Sequence, residues 1–277
     1  MRIALSVDSA CDIPQELKEK FNIHVMPYFV MLGEKECVDG VDVTSEDLFN
    51  YFKETGNLPK TAAIGVDAFV DYFANILKNC DAIIHISLSF QMSSSGRNAT
   101  EASTKFNNVH VVDSKNLSSG IGLLALSCAE KIKAGIDVPS ILRELEEERD
   151  KVQASFLVDT LKFLYKGGRC SALSSLFAGV LKIKPKILVS DGKMGVAKKY
   201  MGNINSCLPK YVEDTLKISN PDLKRAFVTH SSKMEISSKL VQMLKDYGFE
   251  EVYDCNASST ISSHCGPNTL GILFMNK

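Results

Sequence analysis

His264, in the run Ser262-Ser263-His264-Cys265-Gly266-Pro267, has hydroxyls and glycine for neighbours rather than a second base or a metal ligand. Two more hydroxyl clusters stand far upstream: Thr61 in Lys60-Thr61-Ala62-Ala63, and Ser87, Ser89, Ser93, Ser94 and Ser95 after Ile83-Ile84-His85-Ile86. If folding brings the three clusters together, they form a set of neutral donors around one imidazole. Such a set suits the holding of a small anion such as a carboxylate better than the breaking of a bond.

Other chemistries lack their parts. A serine hydrolase needs a nucleophile on a sharp turn, with an acid behind the base. G-x-S-x-G is absent, and Ser93-Ser94-Ser95-Gly96 does not replace it. Neither G-x-x-x-x-G-K-[ST] nor G-x-G-x-x-G occurs, which removes the usual phosphate cradles. The five histidines are scattered without H-E-x-x-H or a comparable ligand pair, so no metal site is expected. His85 and His110 lie inside apolar strands and read as core histidines, and His230 stands at a strand end. Lys166-Gly167-Gly168-Arg169 is a tight turn beside two cations, able to offer backbone N–H groups and a guanidinium to an anion.

The elements that must position these residues follow from hydrophobic periodicity. Ile3 to Val7, Val25 to Val30, Ala82 to Ile86 and Val109 to Val112 read as strands. Pro14 to Phe21 (with Asp12 as a possible cap), Ser45 to Phe52 and Asp67 to Lys78 read as helices between them, the alternation of βαβ units around a mainly parallel sheet. Three strands run into Asp8-Ser9, Ser87-Leu88-Ser89 and Asp113-Ser114. These are either helix caps or the ligand crevice at the carboxyl edge of an open sheet. Ser118 to Ala134 and Pro139 to Val152 read as long helices, the second carrying an acidic solvated face.

In the second half Gln153 to Val158, Ile187 to Val189, Ala226 to Thr229, Glu251 to Asp254 and Leu270 to Met275 read as strands. Helices are expected near Leu208 to Ile218 and Met234 to Tyr247, giving a mixed sheet with helices on one face. The expected fold is therefore α/β in two domains, each with its own core. Residues 1–152 form a three-layer α/β/α domain with a mainly parallel sheet, and 153–277 an α/β domain with a mixed sheet. The segment near 55–80 is left free to pack on either.

With 277 residues, 45% apolar and 23% charged, the chain is an ordinary globular sequence, and a net charge of −1 gives no basic stripe for nucleic acid. The N-terminal apolar run is too short for a signal peptide, and no stretch is long enough to span a bilayer, so a cytoplasmic location is expected. Eight cysteines without a C-x-x-C pair suggest reduced, mostly buried thiols.

Taken in order, Ser6-Val7-Asp8-Ser9, Cys37-Val38-Asp39-Gly40-Val41-Asp42-Val43, Lys60-Thr61, Ile86-Ser87-Leu88-Ser89, Val112-Asp113-Ser114, Lys166-Gly167-Gly168-Arg169, Lys184-Pro185 and His264-Cys265-Gly266-Pro267 resemble the DegV family of bacterial fatty-acid-binding proteins. The resemblance spans essentially the whole chain. It implies a long-chain fatty acid in the cleft between two α/β domains, with its carboxylate held by Thr61, a serine of the Ser93–Ser94 pair and His264, and with Arg169 nearby. It further implies a binding protein without chemistry of its own. Such a protein presents the acid to a separate fatty acid kinase, needs no cofactor and touches membranes only transiently.

Tunnel candidates are Phe90, Met92, Leu164, Leu176, Phe177, Val180, Leu181, Ile272 and Phe274, each equally readable as core. The sequence departs from the family pattern at Ala62, Phe90, Cys265 and Asn268, which bears on acyl selectivity. The runner-up reading is a substrate subunit of the dihydroxyacetone-kinase type, holding a small ketone covalently on His264.

Overall fold

The computed structural model describes residues 1–170 and 183–277. Four parallel strands form the first sheet in the order β2 (His24–Met26), β1 (Ile3–Asp8), β6 (Ala82–Ser87), β7 (Val109–Asp113). Their near-continuous apolar runs match a sheet covered on both faces. On one side lie α3 (Val66–Leu77) and α4 (Ser95–Ser103), and on the other α5 (Ser119–Lys133), backed by α6 (Val138–Glu148).

The expected strand from Val25 to Val30 is two strands. Pro27 has no N–H for a ladder and breaks the run. The chain then leaves the parallel sheet to start a small antiparallel one of β4 (Lys35–Val38), β3 (Phe29–Leu32) and β5 (Lys60–Ala62). A capping box of Thr44 and Asp47 starts α2 (Ser45–Thr55), which closes this unit.

The second half builds a six-stranded mixed sheet in the order β10 (Lys193–Met201), β9 (Ile183–Ser190), β8 (Val152–Leu157), β13 (Leu270–Asn276), β11 (Pro221–His230), β12 (Glu251–Asn256). Asp191 and Gly192, both at positive φ, make the two-residue turn joining β9 to β10. On the outer face lie α8 (Ile204–Ile218) and α9 (Ser237–Tyr247), over a core that includes Leu208, Tyr211, Ile272 and Phe274. Helices cover more than one face, because α5 packs on the inner side against β8, β11 and β13.

That position explains the burial of α5. Its residues from Ser119 to Leu126 are all buried, as expected of a helix enclosed on all sides rather than one with a single apolar stripe. The main core is continuous across the two halves, running from Val7, Ile84 and Leu124 to Phe156, Ile187 and Phe227. Two short helices complete the described structure, α7 (Lys162–Gly167) and α10 (Ser259–Cys265). The small sheet and α2 pack on α10, whereas α3 packs on α4 and β6. The boundary expected at 152 falls where a 3-10 turn, Arg149–Lys151, enters β8.

The polar residues ending the parallel strands are not helix caps. The Asp8 carboxyl accepts from the Leu88 backbone N–H (2.8 Å), Ser87 Oγ (2.9 Å) and Tyr28 Oη (3.3 Å). Asp113 Oδ1 accepts from the backbone N–H groups of Lys115 (2.9 Å) and Phe90 (3.2 Å). Together they pin the loop after β6. Nor does Asp12 cap α1 (Gln15–Lys20), whose first turn has no side-chain cap. Asp12 reaches instead to Ser118 and Ser258.

Candidate functional site

Thr61 on β5 and His264 on α10, 203 residues apart, meet with Oγ1 2.8 Å from Nε2. Around them a cavity of about 210 Å³ is lined by Thr61, Ser93, Ser94, Arg169 and His264, all five positions singled out from the sequence. Each arrives on a different support. The small antiparallel sheet carries Thr61, the β6–α4 loop the serines, the turn after α7 the guanidinium, and the last turn of α10 the imidazole.

Loop geometry separates the two serines. Ser93 Oγ donates to Ser95 Oγ (3.1 Å) and accepts from the Ser95 N–H (3.2 Å), so it is spent largely within the loop. Ser94, just before α4, keeps an exposed hydroxyl with no hydrogen-bond partner among the described residues. Ser89 Oγ donates to the Gly192 carbonyl at 2.7 Å, which holds the β9–β10 turn against this loop and brings Met194 to the wall.

Burial and the nearby Arg169 guanidinium push the His264 pKa down to about 4. The imidazole is therefore neutral near pH 7 and offers one N–H. Its Nδ1 is buried without a hydrogen-bond partner among the described residues, and a Cβ on Gly167 would sit 2.7 Å from it. Gly167→Ala should thus displace the ring from Thr61. Nitrogen-15 NMR of the histidine side chains should show a changed His264 signal, and an unchanged signal would mean that the ring has room to spare.

Sharing Thr61, Arg169 and His264 with this inner cavity is a larger outer groove of about 640 Å³, lined in part by Tyr51, Lys60, Lys166 and Gly167. The α7 segment that forms one bank is seated by Phe163, whose ring meets Phe52 edge-on at 5.0 Å. The pair thus stands between an inner chamber walled by Leu88, Met92, Leu117, Met194 and Ile261 and an outer groove bearing cations.

Among the tunnel candidates, Met92 lines the inner cavity. Ile272 and Phe274 do not, because their side chains face the outer core under α8 and α9. Phe90 lies over Gly96, and Leu164 belongs to the main core. Leu176, Phe177, Val180 and Leu181 fall outside the described residues. Sequence reading missed Tyr28, Arg97, Leu117, Met194 and Ile261. Ile261 precedes His264 by three residues on α10, a helix that no apolar periodicity announces.

His85 and His230 stand apart from the cavity. His85 Nδ1 bonds Ser6 Oγ at 2.9 Å in the core, and His230 Nε2 lies 3.0 Å from Asp254 Oδ1. All eight cysteines are free, and all but Cys80 are buried. No described helix is long and apolar enough to cross a membrane.

Fold and cavity place the chain in a recognised class of α/β proteins. Over 100% of both chains it superposes on a DegV family protein from Thermus thermophilus whose structure concerns fatty acid binding, with a TM-score of 0.90 at 26% identity. DegV from Bacillus subtilis, a fatty acid binding protein, superposes over 100% of both chains with a TM-score of 0.85 at 29% identity. The family profile described as "uncharacterised protein, DegV family" matches residues 2–277, and the chain belongs to the DegV family. In sequence it is 30% identical to Protein DegV of Bacillus subtilis over 99% of both chains. A DegV domain-containing protein of Caldanaerobacter subterraneus is 27% identical over 100% of this chain and 99% of its own.

Proposed function

We propose that this protein binds a long-chain fatty acid, with the carboxylate at the Thr61–His264 pair and the acyl chain in the apolar chamber behind it. The observation that carries this reading is the 2.8 Å contact of Thr61 with His264 at the boundary between the two cavities. With His264 neutral, Nε2–H can donate to Thr61 Oγ1, which leaves the threonine O–H free to donate to a carboxylate. Ser94 supplies a second hydroxyl, and Arg169 a charge at the rim.

Each hydrogen bond to a charged group contributes about 1.5–3 kcal/mol. A buried methylene contributes about 0.8 kcal/mol. The tail therefore supplies most of the affinity, and the donors fix direction and head-group identity. In this arrangement the protein does no chemistry itself. The outer groove, with Lys60, Lys166 and Arg169, leaves the carboxylate open to a phosphoryl donor brought by a separate fatty acid kinase, with acyl phosphate as the product.

The test is native mass spectrometry of the protein as purified, with solvent extraction of whatever it holds. A free fatty acid should be released, and Thr61→Ala and His264→Ala should each weaken its rebinding by about tenfold to a hundredfold, matching the loss of one charge-assisted bond. Unchanged affinity in both variants would remove the head-group assignment. A small adduct fixed covalently to His264 would instead support the small-ketone reading, which the apolar chamber does not favour.

A further inference from the structure

We propose that Asp12, which is not part of the cavity wall, is a positioning residue for His264: its carboxyl group fixes the start of α10 and so places the imidazole at the other end. The seven-residue helix Ser259-Thr260-Ile261-Ser262-Ser263-His264-Cys265 has no apolar stripe long enough to seat it by packing. Its location has to come from polar contacts, and those gather at its first turn, where backbone N–H groups have no partner within the helix.

Asp12 Oδ1 accepts from the Ser258 N–H at 2.8 Å, and Asp39 Oδ1 accepts from the Ser259 N–H at 2.8 Å. These contacts join residues 246 and 220 positions apart. Ser259 Oγ adds a bond to the Val43 carbonyl (2.9 Å), and Ser45 Oγ one to Ser262 Oγ (2.8 Å). The two carboxyl groups reach α10 from different parts of the chain, although Ser9 Oγ, just past β1, also donates to Asp39 Oδ2 at 2.8 Å. Asp39, Val43 and Ser45 belong to the unit that carries Thr61, so they set α10 relative to the threonine.

Asp12 follows β1, which pairs in parallel with β6, the strand leading into Ser93 and Ser94. It is itself held from two sides. Ser118 Oγ donates to its Oδ2 at 2.5 Å, and Ser119 Oγ to its backbone carbonyl at 2.8 Å. Asp12 therefore registers α10 against the parallel sheet, and with it the distance from the imidazole to the serines. At about 1.5 Å per residue, roughly 9 Å of helix separates Ser258 from His264. A helix of two turns transmits a shift at its start to its end, and hydrogen-bond geometry tolerates little of it.

The experiment compares Asp12→Ala, Asp12→Asn and Tyr211→Phe with the parent protein, reading the nitrogen-15 resonances of His264 without ligand and then the affinity for palmitate. Asp12→Ala should move the resonances and weaken palmitate binding by about tenfold, the equivalent of one ordinary hydrogen bond. Asparagine keeps an oxygen for the Ser258 N–H and can donate its amide to Ser118 Oγ, so Asp12→Asn should bring both readouts back to the parent values. Tyr211→Phe removes hydrogen bonds to Ser155 and Ile272 on the outer face of the six-stranded sheet, away from the cavity lining, and should lower the melting temperature while leaving both readouts alone.

If Asp12→Ala leaves the His264 signal in place, or if Tyr211→Phe moves it as much, the positioning role is wrong. Should Asp12→Ala fail to fold, Ser118→Ala frees the second carboxyl oxygen and must shift the same resonances. The affinity arm rests on the head-group reading above, but the resonance arm does not. Were His264→Ala to bind palmitate normally while Asp12→Ala still moved the His264 signal, that reading would fall and the positioning role would stand.

Discussion

Asp8→Ala should lower the free energy of unfolding by on the order of 3–5 kcal/mol, because several buried donors lose their acceptor together. Both Asp8 and His85 have fully buried side chains, with Oδ1 3.3 Å from Nε2. The same carboxyl group accepts from the Leu88 N–H, Ser87 Oγ and Tyr28 Oη. Alanine takes the acceptor from three donors at once, the Leu88 N–H, Ser87 Oγ and Tyr28 Oη, away from water, and an orphaned buried donor costs about 1–3 kcal/mol. Asp8→Asn keeps one acceptor oxygen, so its cost should be markedly smaller.

Urea denaturation checks this, with a fall in the midpoint at an unchanged slope as the expected result. Equal midpoints for Asp8→Ala and the parent would mean that water or local repacking replaces the carboxyl. The loss should reach the cavity as well, because Leu88 and Tyr28 are part of its wall.

The second large effect is a pair of opposed pH dependences carried by the two ends of α10. Burial raises the Asp12 pKa to about 7, against smaller opposing contributions from the hydrogen bonds of Ser118 and Ser258, and Asp39 adds to the rise. A raised carboxyl pKa means stability that is fully present below about pH 4 and lost as the pH climbs to about 7. For about three pKa units this amounts to roughly 4 kcal/mol. His264, with its pKa lowered to about 4, does the opposite: its contribution is present above about pH 6.5 and lost as the pH falls. That term is about 3 kcal/mol.

The two largely offset each other in the parent protein. Asp12→Asn should therefore be stabilising, relative to the parent, near pH 8 and lose that advantage on acidification, whereas His264→Gln should gain relative stability as the pH falls. Unfolding free energies measured at several pH values for the parent and both variants decide the matter. A pH-independent difference for Asp12→Asn would show that folding leaves the proton affinity of the carboxyl unchanged.

How far these arrangements could be read from residue order depends on what holds each element in place. Strands β1, β6 and β7 were legible to within a residue, because a strand buried on both faces must be apolar throughout. The two serine-rich helices were not. Helix α4 (Ser95–Ser103) buries a face of small residues, Ser95, Gly96, Ala99 and Ala102, and α10 (Ser259–Cys265) is seated by long-range hydrogen bonds, so neither carries the large apolar side chains by which composition announces a helix. Strand β10 was passed over for a different reason. It is an edge strand with Lys198 and Lys199 exposed, although Asp191-Gly192 marked its turn.

The same division holds at the cavity. The five polar positions announced themselves as hydroxyls, imidazole and guanidinium in glycine- and serine-rich runs, and the structure puts all five on one wall. The apolar part did not announce itself. Met92, Leu117, Met194 and Ile261 look like any core residue, and only tertiary packing separates them from Ile272 and Phe274, which serve the far side of a sheet. Asp12 was read as a cap for the helix that follows it, since nothing local shows that its partner lies near the other terminus.

With α5 as the common wall of the two larger sheets, the first lobe owns no finished interior and the second has one only under α8 and α9. A cut at residue 152 would strip β8, β11 and β13 of the helix they lean on and leave that helix with one naked flank. Heat or denaturant should accordingly take the molecule apart in one step rather than lobe by lobe, and the halves made as separate chains should find each other or precipitate.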